Sequence, residues 1–153
     1  LEVRRQRGSS VQGTATIAVT MPALSEIEIA GTGDVTADAM TGEAGAVAIA
    51  GTGNATVGSI NVTRMDIAIA GAGDFAGSGT ARSTEVAIAG SGDVAAPELA
   101  SETSDISIAG SGNVRLKVTQ TADIDIIGSG DVEITGGARC STSEMGSGDV
   151  RCS

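Results

Sequence analysis

The sequence predicts an all-β fold: a single-stranded parallel β-helix, or β-solenoid, of about seven coils of 18–20 residues. Three observations predict it. A Gly-x-Gly-Asp/Asn motif recurs at even spacing, an alternating apolar segment precedes most copies, and aromatic residues are almost absent. With 23 Gly, one Phe and no Trp or Tyr among 153 residues, the chain lacks the large side chains that help to fill an ordinary globular core. Ile, Val and Ala must fill it instead.

The motif occurs seven times, and its first glycines are 20, 20, 19, 20, 18 and 18 residues apart. Such regularity is typical of solenoids, in which each repeat forms one coil. Glycine permits a positive φ at a corner, and Asp and Asn both favour turns. We therefore interpret the motif as a structural turn. Its residues are Gly31, Gly33, Asp34, Gly51, Gly53, Asn54, Gly71, Gly73, Asp74, Gly90, Gly92, Asp93, Gly110, Gly112, Asn113, Gly128, Gly130, Asp131, Gly146, Gly148 and Asp149.

The segment before the motif predicts a strand. In six coils, apolar residues four and two positions before the first glycine alternate with small or polar ones, as in Ile106-Ser107-Ile108. Alternation of β-branched residues with period two indicates a strand with one buried face. A second strand should follow each motif, as from Val94, and a large apolar residue such as Met40, Ile60 or Leu99 should anchor a third side. Equivalent strands would pair in parallel at about 4.8 Å per coil.

We predict one domain that spans the whole chain. Residues 1–24 form lead-in strands, residues 25–139 form regular coils, and residues 140–153 form an irregular terminal coil. In that last coil Thr142 and Glu144 take positions that hold Ile or Val elsewhere. Terminal repeats commonly deviate in this way, because they cover the open end of a solenoid.

Composition excludes several classes of function. A net charge of −10 argues against nucleic-acid binding, which needs a basic surface. No apolar run approaches 18 residues, so no membrane insertion is predicted. Without His a Ser-His-Asp triad is impossible, and the regular spacing leaves no long loop to build a catalytic cleft. We therefore predict that the chain is not an enzyme.

An acidic column lies five residues before the first glycine of successive motifs. It includes Asp66, Glu85, Asp105 and Asp123, which in-register stacking would align into a stripe of like charges. One interpretation is a weak Ca²⁺ site. The interpretation that we favour is a solvated face that discourages aggregation between sheets. No other metal or cofactor is predicted.

The two cysteines, Cys140 and Cys152, lie 12 residues apart. A zinc site is disfavoured because no His or further Cys is present. A disulfide that pins the last coil is the favoured interpretation, and two free thiols are the alternative. A disulfide would indicate an oxidising compartment.

The repeated pattern resembles a known family. The segments Val86–Val94 and Ile106–Val114, with Ile17–Leu24 and Gly146–Val150, resemble the head GIN domain of putative auto-transporter adhesins, over about residues 10–153. The resemblance implies a right-handed parallel β-helix in exported proteins of the bacterial envelope. It carries no agreed catalytic residues, so none is transferred to this chain.

The function predicted from these features is that of a non-enzymatic adhesion or structural module in the periplasm, on the cell surface or secreted. Its partner would be a surface ligand, either a glycan or a protein. One alternative is a β-helix that binds or cleaves polysaccharides. Another is a self-associating scaffold, in which the solenoid ends of two copies pair.

Overall fold

The computed structural model describes residues 24–153, and its regular structure there consists of β-strands. The nine strands are β1 (Glu26–Gly31), β2 (Val35–Gly51), β3 (Ala55–Gly71), β4 (Phe75–Gly90), β5 (Val94–Gly110), β6 (Val114–Gly128), β7 (Val132–Thr135), β8 (Arg139–Gly146) and β9 (Val150–Cys152). The predicted parallel β-solenoid is confirmed, with about six turns where about seven were predicted. Most of the predicted lead-in, residues 1–23, lies outside the described part.

One long strand forms almost every complete coil. Strand β3 pairs in parallel with β2 from Val35↔Ala55 at one motif to Gly51↔Gly71 at the next. We expected two or three short strands in each coil. The structure differs because backbone pairing with the neighbouring coils continues around most of the coil.

The interior is built from columns of equivalent side chains. The apolar residues four and two positions before the first glycine are at most 5% exposed in six coils. Those residues are Ile27, Ile29, Val47, Ile49, Ile67, Ile69, Val86, Ile88, Ile106, Ile108, Ile124 and Ile126. Full burial of one such side chain stabilises the fold by roughly 1.5–3 kcal/mol. The predicted inward positions are therefore confirmed, including those of Met40, Ile60 and Leu99.

The coils differ in length by one or two residues. Shifts in strand pairing accommodate these differences, and the shifts lie outside the strand segment that precedes each motif. The pairing of β3 with β4 shifts between Val57 and Ile60, and that of β4 with β5 shifts between Ala76 and Ser78. Pairing returns to unbroken register from Asp66↔Glu85 to Gly71↔Gly90. Bulges of this kind accommodate extra residues in one strand. The segment before each motif consequently keeps the same register in successive coils.

Candidate functional site

The motif turns require glycine at two positions: the first for its positive φ and its close packing on the preceding coil, and the second for close packing alone. The first glycine has a positive φ in all seven copies, from +114° at Gly31 to +147° at Gly146, a region that other residues disfavour. The second glycine lacks a positive φ but packs closely against the preceding coil. A Cβ on Gly92 would collide with the carbonyl oxygen of Gly73 and with Cγ2 of Ile69. The glycines therefore permit the close stacking of the coils.

The Asp and Asn side chains of the motif form a ladder of hydrogen bonds between coils. From Asp34 to Asp131, the Oδ1 atom of each residue accepts a hydrogen bond from the backbone N–H of the equivalent residue in the next coil, at 2.8–3.1 Å, and the last donor is Asp149. Asp and Asn share this acceptor, which explains why both occur. Asn54 and Asn113 interrupt the carboxylates, so no more than two are adjacent, and like-charge repulsion is limited.

We expect Asp74→Ala to lower the free energy of unfolding by about 1 kcal/mol. Oδ1 of Asp74 accepts the backbone N–H of Asp93 at 3.0 Å, and alanine removes that acceptor. Asp74→Asn keeps an acceptor oxygen and should change the free energy by less than about 0.5 kcal/mol. Urea titration of both variants measures the difference. Equal losses would show that the charge of Asp74, and not its hydrogen bond, matters.

The outward residues of the segment before each motif form a surface that we call the outer face. It consists of two exposed or half-exposed columns of mostly small residues. They are Glu28, Ala30, Ala48, Ala50, Ala68, Ala70, Ala87, Ala89, Ser107, Ala109, Asp125, Ile127, Ser143 and Met145, of which only Glu28 and Asp125 are charged. Ile127 is 61% exposed and Met145 is 73% exposed, and both continue the column of Ala89 and Ala109. The outer face is thus a largely apolar strip along the rod.

The acidic column predicted from the sequence runs along one side of the outer face. We call it the acidic stripe, and its residues are Asp66, Glu85, Asp105 and Asp123. Its members pair directly in consecutive coils, as Asp66↔Glu85, Glu85↔Asp105 and Asp105↔Asp123. The Arg64 side chain lies at one end, where Nε is 2.9 Å from Oδ1 of Asp66 and Nη2 is 2.6 Å from Oε2 of Glu85. A hydrogen bond from Arg64 to Asp66, the charge of Asp66 and the charge of Glu85 together raise the pKa of Arg64. The stripe is partly neutralised at this end.

The acidic stripe is a line of carboxylates and not a convergent ligand set. Within residues 24–153, no three Asp, Glu or Cys side chains lie together in a group that could hold a metal ion. Ca²⁺ usually takes six to eight oxygen ligands. The geometry of the stripe therefore gives little support to the Ca²⁺ interpretation. The same part of the chain contains no helix long and apolar enough to cross a membrane.

Two features were missed by the sequence interpretation. Arg64 lies two residues before Asp66, so the two side chains are on the same face of the strand. The period of two along a strand could have shown this from the sequence alone. The second is a buried polar group in the interior. The hydroxyls of Thr84 and Ser101 lie 2.5 Å apart, and Oγ of Ser104 is buried without a hydrogen-bond partner in the described structure. This group lies inside the rod, away from the outer face.

The two cysteines join the last turns of the chain. Cys140 in β8 and Cys152 in β9 form a disulfide with their Cα atoms 6.6 Å apart. Cys140 follows Ala122 in its column, and Cys152 follows Ile134. Because Ala122 and Ile134 are buried, both cysteines occupy columns that face inward in the coils above. The disulfide therefore crosses the end of the hydrophobic core.

One family model matches most of the chain. The model described as "Putative auto-transporter adhesin, head GIN domain" matches residues 1–138. No curated protein shows significant sequence similarity to the chain.

The solved structures that are similar in fold to this chain include two crystal structures of bacterial proteins. A putative adhesin from Bacteroides fragilis superposes with a TM-score of 0.81 at 25% identity, over 86% of this chain and 62% of its own length. A putative lipid binding protein from Parabacteroides distasonis has a TM-score of 0.74 at 30% identity, over 84% of this chain and 52% of its own length. This chain therefore spans less than two thirds of either neighbour.

Proposed function

Because the chain belongs to the family of putative auto-transporter adhesin head GIN domains, we propose that it is a non-enzymatic adhesion module of the bacterial envelope that binds an external ligand through its outer face. The observation that carries this proposal is the unbroken register of the outer face. Equivalent residues pair from Ala48↔Ala68 to Ser107↔Asp125 in successive coils. A rigid surface of this kind loses little conformational entropy when it binds a partner.

The location that fits this function is the periplasm, the cell surface or the medium. Membership of an auto-transporter adhesin family supports export. The disulfide between Cys140 and Cys152 is consistent with an oxidising compartment, where such bonds form and persist.

The chemistry of the outer face favours a protein ligand over a glycan. Glycan sites commonly use exposed aromatic rings as stacking surfaces, but the one aromatic residue of the chain, Phe75, is fully buried. The outer face instead combines alanine methyl groups with the flanking acidic stripe. A protein surface with small apolar residues beside Lys or Arg would complement both parts, since opposite charges guide association.

The alternatives from sequence fit the described residues less well. A polysaccharide-cleaving enzyme needs a cleft with convergent carboxylates, whereas the acids before the motif are spread along a stripe from Asp66 to Asp123. Lipid binding is a second candidate, suggested by the name of the Parabacteroides distasonis neighbour. The exposed Ile127 and Met145 are the observation that favours it, although a net charge of −10 disfavours anionic membranes.

A binding array tests the proposal. The purified chain is applied to extracellular matrix proteins, glycans and zwitterionic lipid vesicles, with and without millimolar Ca²⁺. We expect binding to a protein at equal strength in both conditions. Binding only in Ca²⁺ would instead assign function to the acidic stripe, and binding only to vesicles would support the lipid candidate. Binding to none of the three classes would contradict the adhesion proposal and favour the self-associating scaffold, which sedimentation would then detect.

A further inference from the structure

The terminal coil covers the end of the core with polar residues. Thr142 in β8 lies next to Ile124, and Glu144 lies next to Ile126. Both isoleucines are about 1% exposed, whereas Thr142 and Glu144 are exposed. Strand β8 therefore shields two core residues from water without adding apolar side chains of its own at these positions.

Backbone pairing holds the terminal coil to its neighbour on one side. Among the described strands, β8 pairs with β6 alone and the three-residue strand β9 pairs with β7 alone, so within residues 24–153 each is paired along one edge. The strands of the central coils, such as β4, pair on both sides. Opening of a segment needs less free energy where it has few buried apolar contacts and exposed backbone hydrogen bonds. The terminal coil meets both conditions.

We propose that the disulfide between Cys140 and Cys152 is a redox-sensitive clamp that keeps the terminal coil folded over the end of the core. It joins β8 to β9 across two inward-facing columns. A dithiol reductant cleaves the S–S bond and is itself oxidised to a disulfide, and each cysteine sulfur is released as a thiolate that takes up one proton. Reduction then frees β9 and loosens β8, which exposes Ile124, Ile126 and the β6 edge.

The clamp also acts on the outer face. Met145 belongs to β8 and lies next to Ile127 in the exposed column. Loss of β8 would remove Met145 from the outer face and leave Ile127 at its end. The order of this end of the outer face thus depends on the redox state of the two cysteines.

Hydrogen–deuterium exchange with and without a dithiol tests the clamp. We expect amides of β8 and β9 to exchange at least about 10-fold faster after reduction, while those of β3–β5 stay unchanged. A Cys140→Ser, Cys152→Ser variant should show the fast pattern without reductant and no response to it. Thiol titration on the wild-type chain establishes that the bridge is broken.

Two results would overturn the proposal. One is unchanged exchange in β8 and β9 when titration finds two free thiols. The other is faster exchange throughout β3–β5 as well, because the bridge would then stabilise the whole solenoid and not the terminal coil. An increase in the fluorescence of a hydrophobic dye on reduction is expected if Ile124 and Ile126 become exposed. Unchanged fluorescence would contradict that exposure.

Discussion

Ile88→Asp is expected to lower the free energy of unfolding by more than about 4 kcal/mol, a large share of the roughly 5–15 kcal/mol that stabilises an ordinary folded chain. Ile88 is 2% exposed and lies between Ile69 and Ile108 in an inward column. Aspartate at this position loses the apolar contacts of isoleucine and places an unpaired carboxylate in the core. Circular dichroism during urea titration measures the loss.

Glu85→Ala is the matched control, in the same strand as Ile88 but on its outward side. Its carboxylate pairs with Arg64 at the surface, and exposed ion pairs contribute little to stability. We expect no measurable shift in the urea midpoint. If Ile88→Asp were tolerated as well as Glu85→Ala, the assignment of inward and outward columns would be wrong.

Gly92→Ala is expected to cost about 3 kcal/mol, although it adds a single methyl group. The new Cβ would collide with the backbone of Gly73 and with Ile69 in the coil above. Backbone cannot move aside as a flexible side chain can, so the two coils must separate and the hydrogen bonds beside the turn weaken. Thermal unfolding of the purified variant measures the effect.

Ser91→Ala provides the control for Gly92→Ala, because it introduces alanine one position earlier in the same turn. The Ser91 side chain is exposed, and the equivalent position already holds alanine at Ala72. The backbone N–H of Ser91 still donates to the carbonyl oxygen of Gly71. An unfolding temperature unchanged in Ser91→Ala and clearly lower in Gly92→Ala would agree with close stacking at the second glycine. Equal temperatures in both variants would argue against it.

The repeat allowed most of the fold to be predicted from sequence. Alternation at Ile106 and Ile108 is a local signal of one buried face, and its recurrence at each motif fixes which residues stack. The acidic stripe from Asp66 to Asp123 followed from the same register. Its ion pairs with Arg64 did not, because they depend on side-chain conformation as well as on position.

The interior corner around Ser104 could not be predicted. Coil lengths between motifs differ by up to two residues, and spacing alone does not say where the difference is absorbed. The structure places the shifts after the motif, between Ala96 and Ala100 and between Ser101 and Thr103 in the pairing of β5 with β6. These shifts help to determine which small polar side chains meet inside the rod. The role of Asp and Asn in the motif turns was predicted, but their hydrogen bonds were not. These bonds join residues of different coils, which a local turn motif does not reveal.

The most direct test of the outer face compares two variants, Ala89→Arg and Ala95→Arg. The quantity compared is their affinity for the ligand that the array identifies. Ala89 lies on the outer face in a column that ends in Ile127 and Met145, so the fold tolerates a long side chain there. Ala95 is exposed after the motif and lies next to Arg115. We expect Ala89→Arg to weaken binding at least about 10-fold and Ala95→Arg to leave it unchanged. Full binding by Ala89→Arg, or equal losses in both variants, would contradict the assignment of the outer face as the adhesive surface.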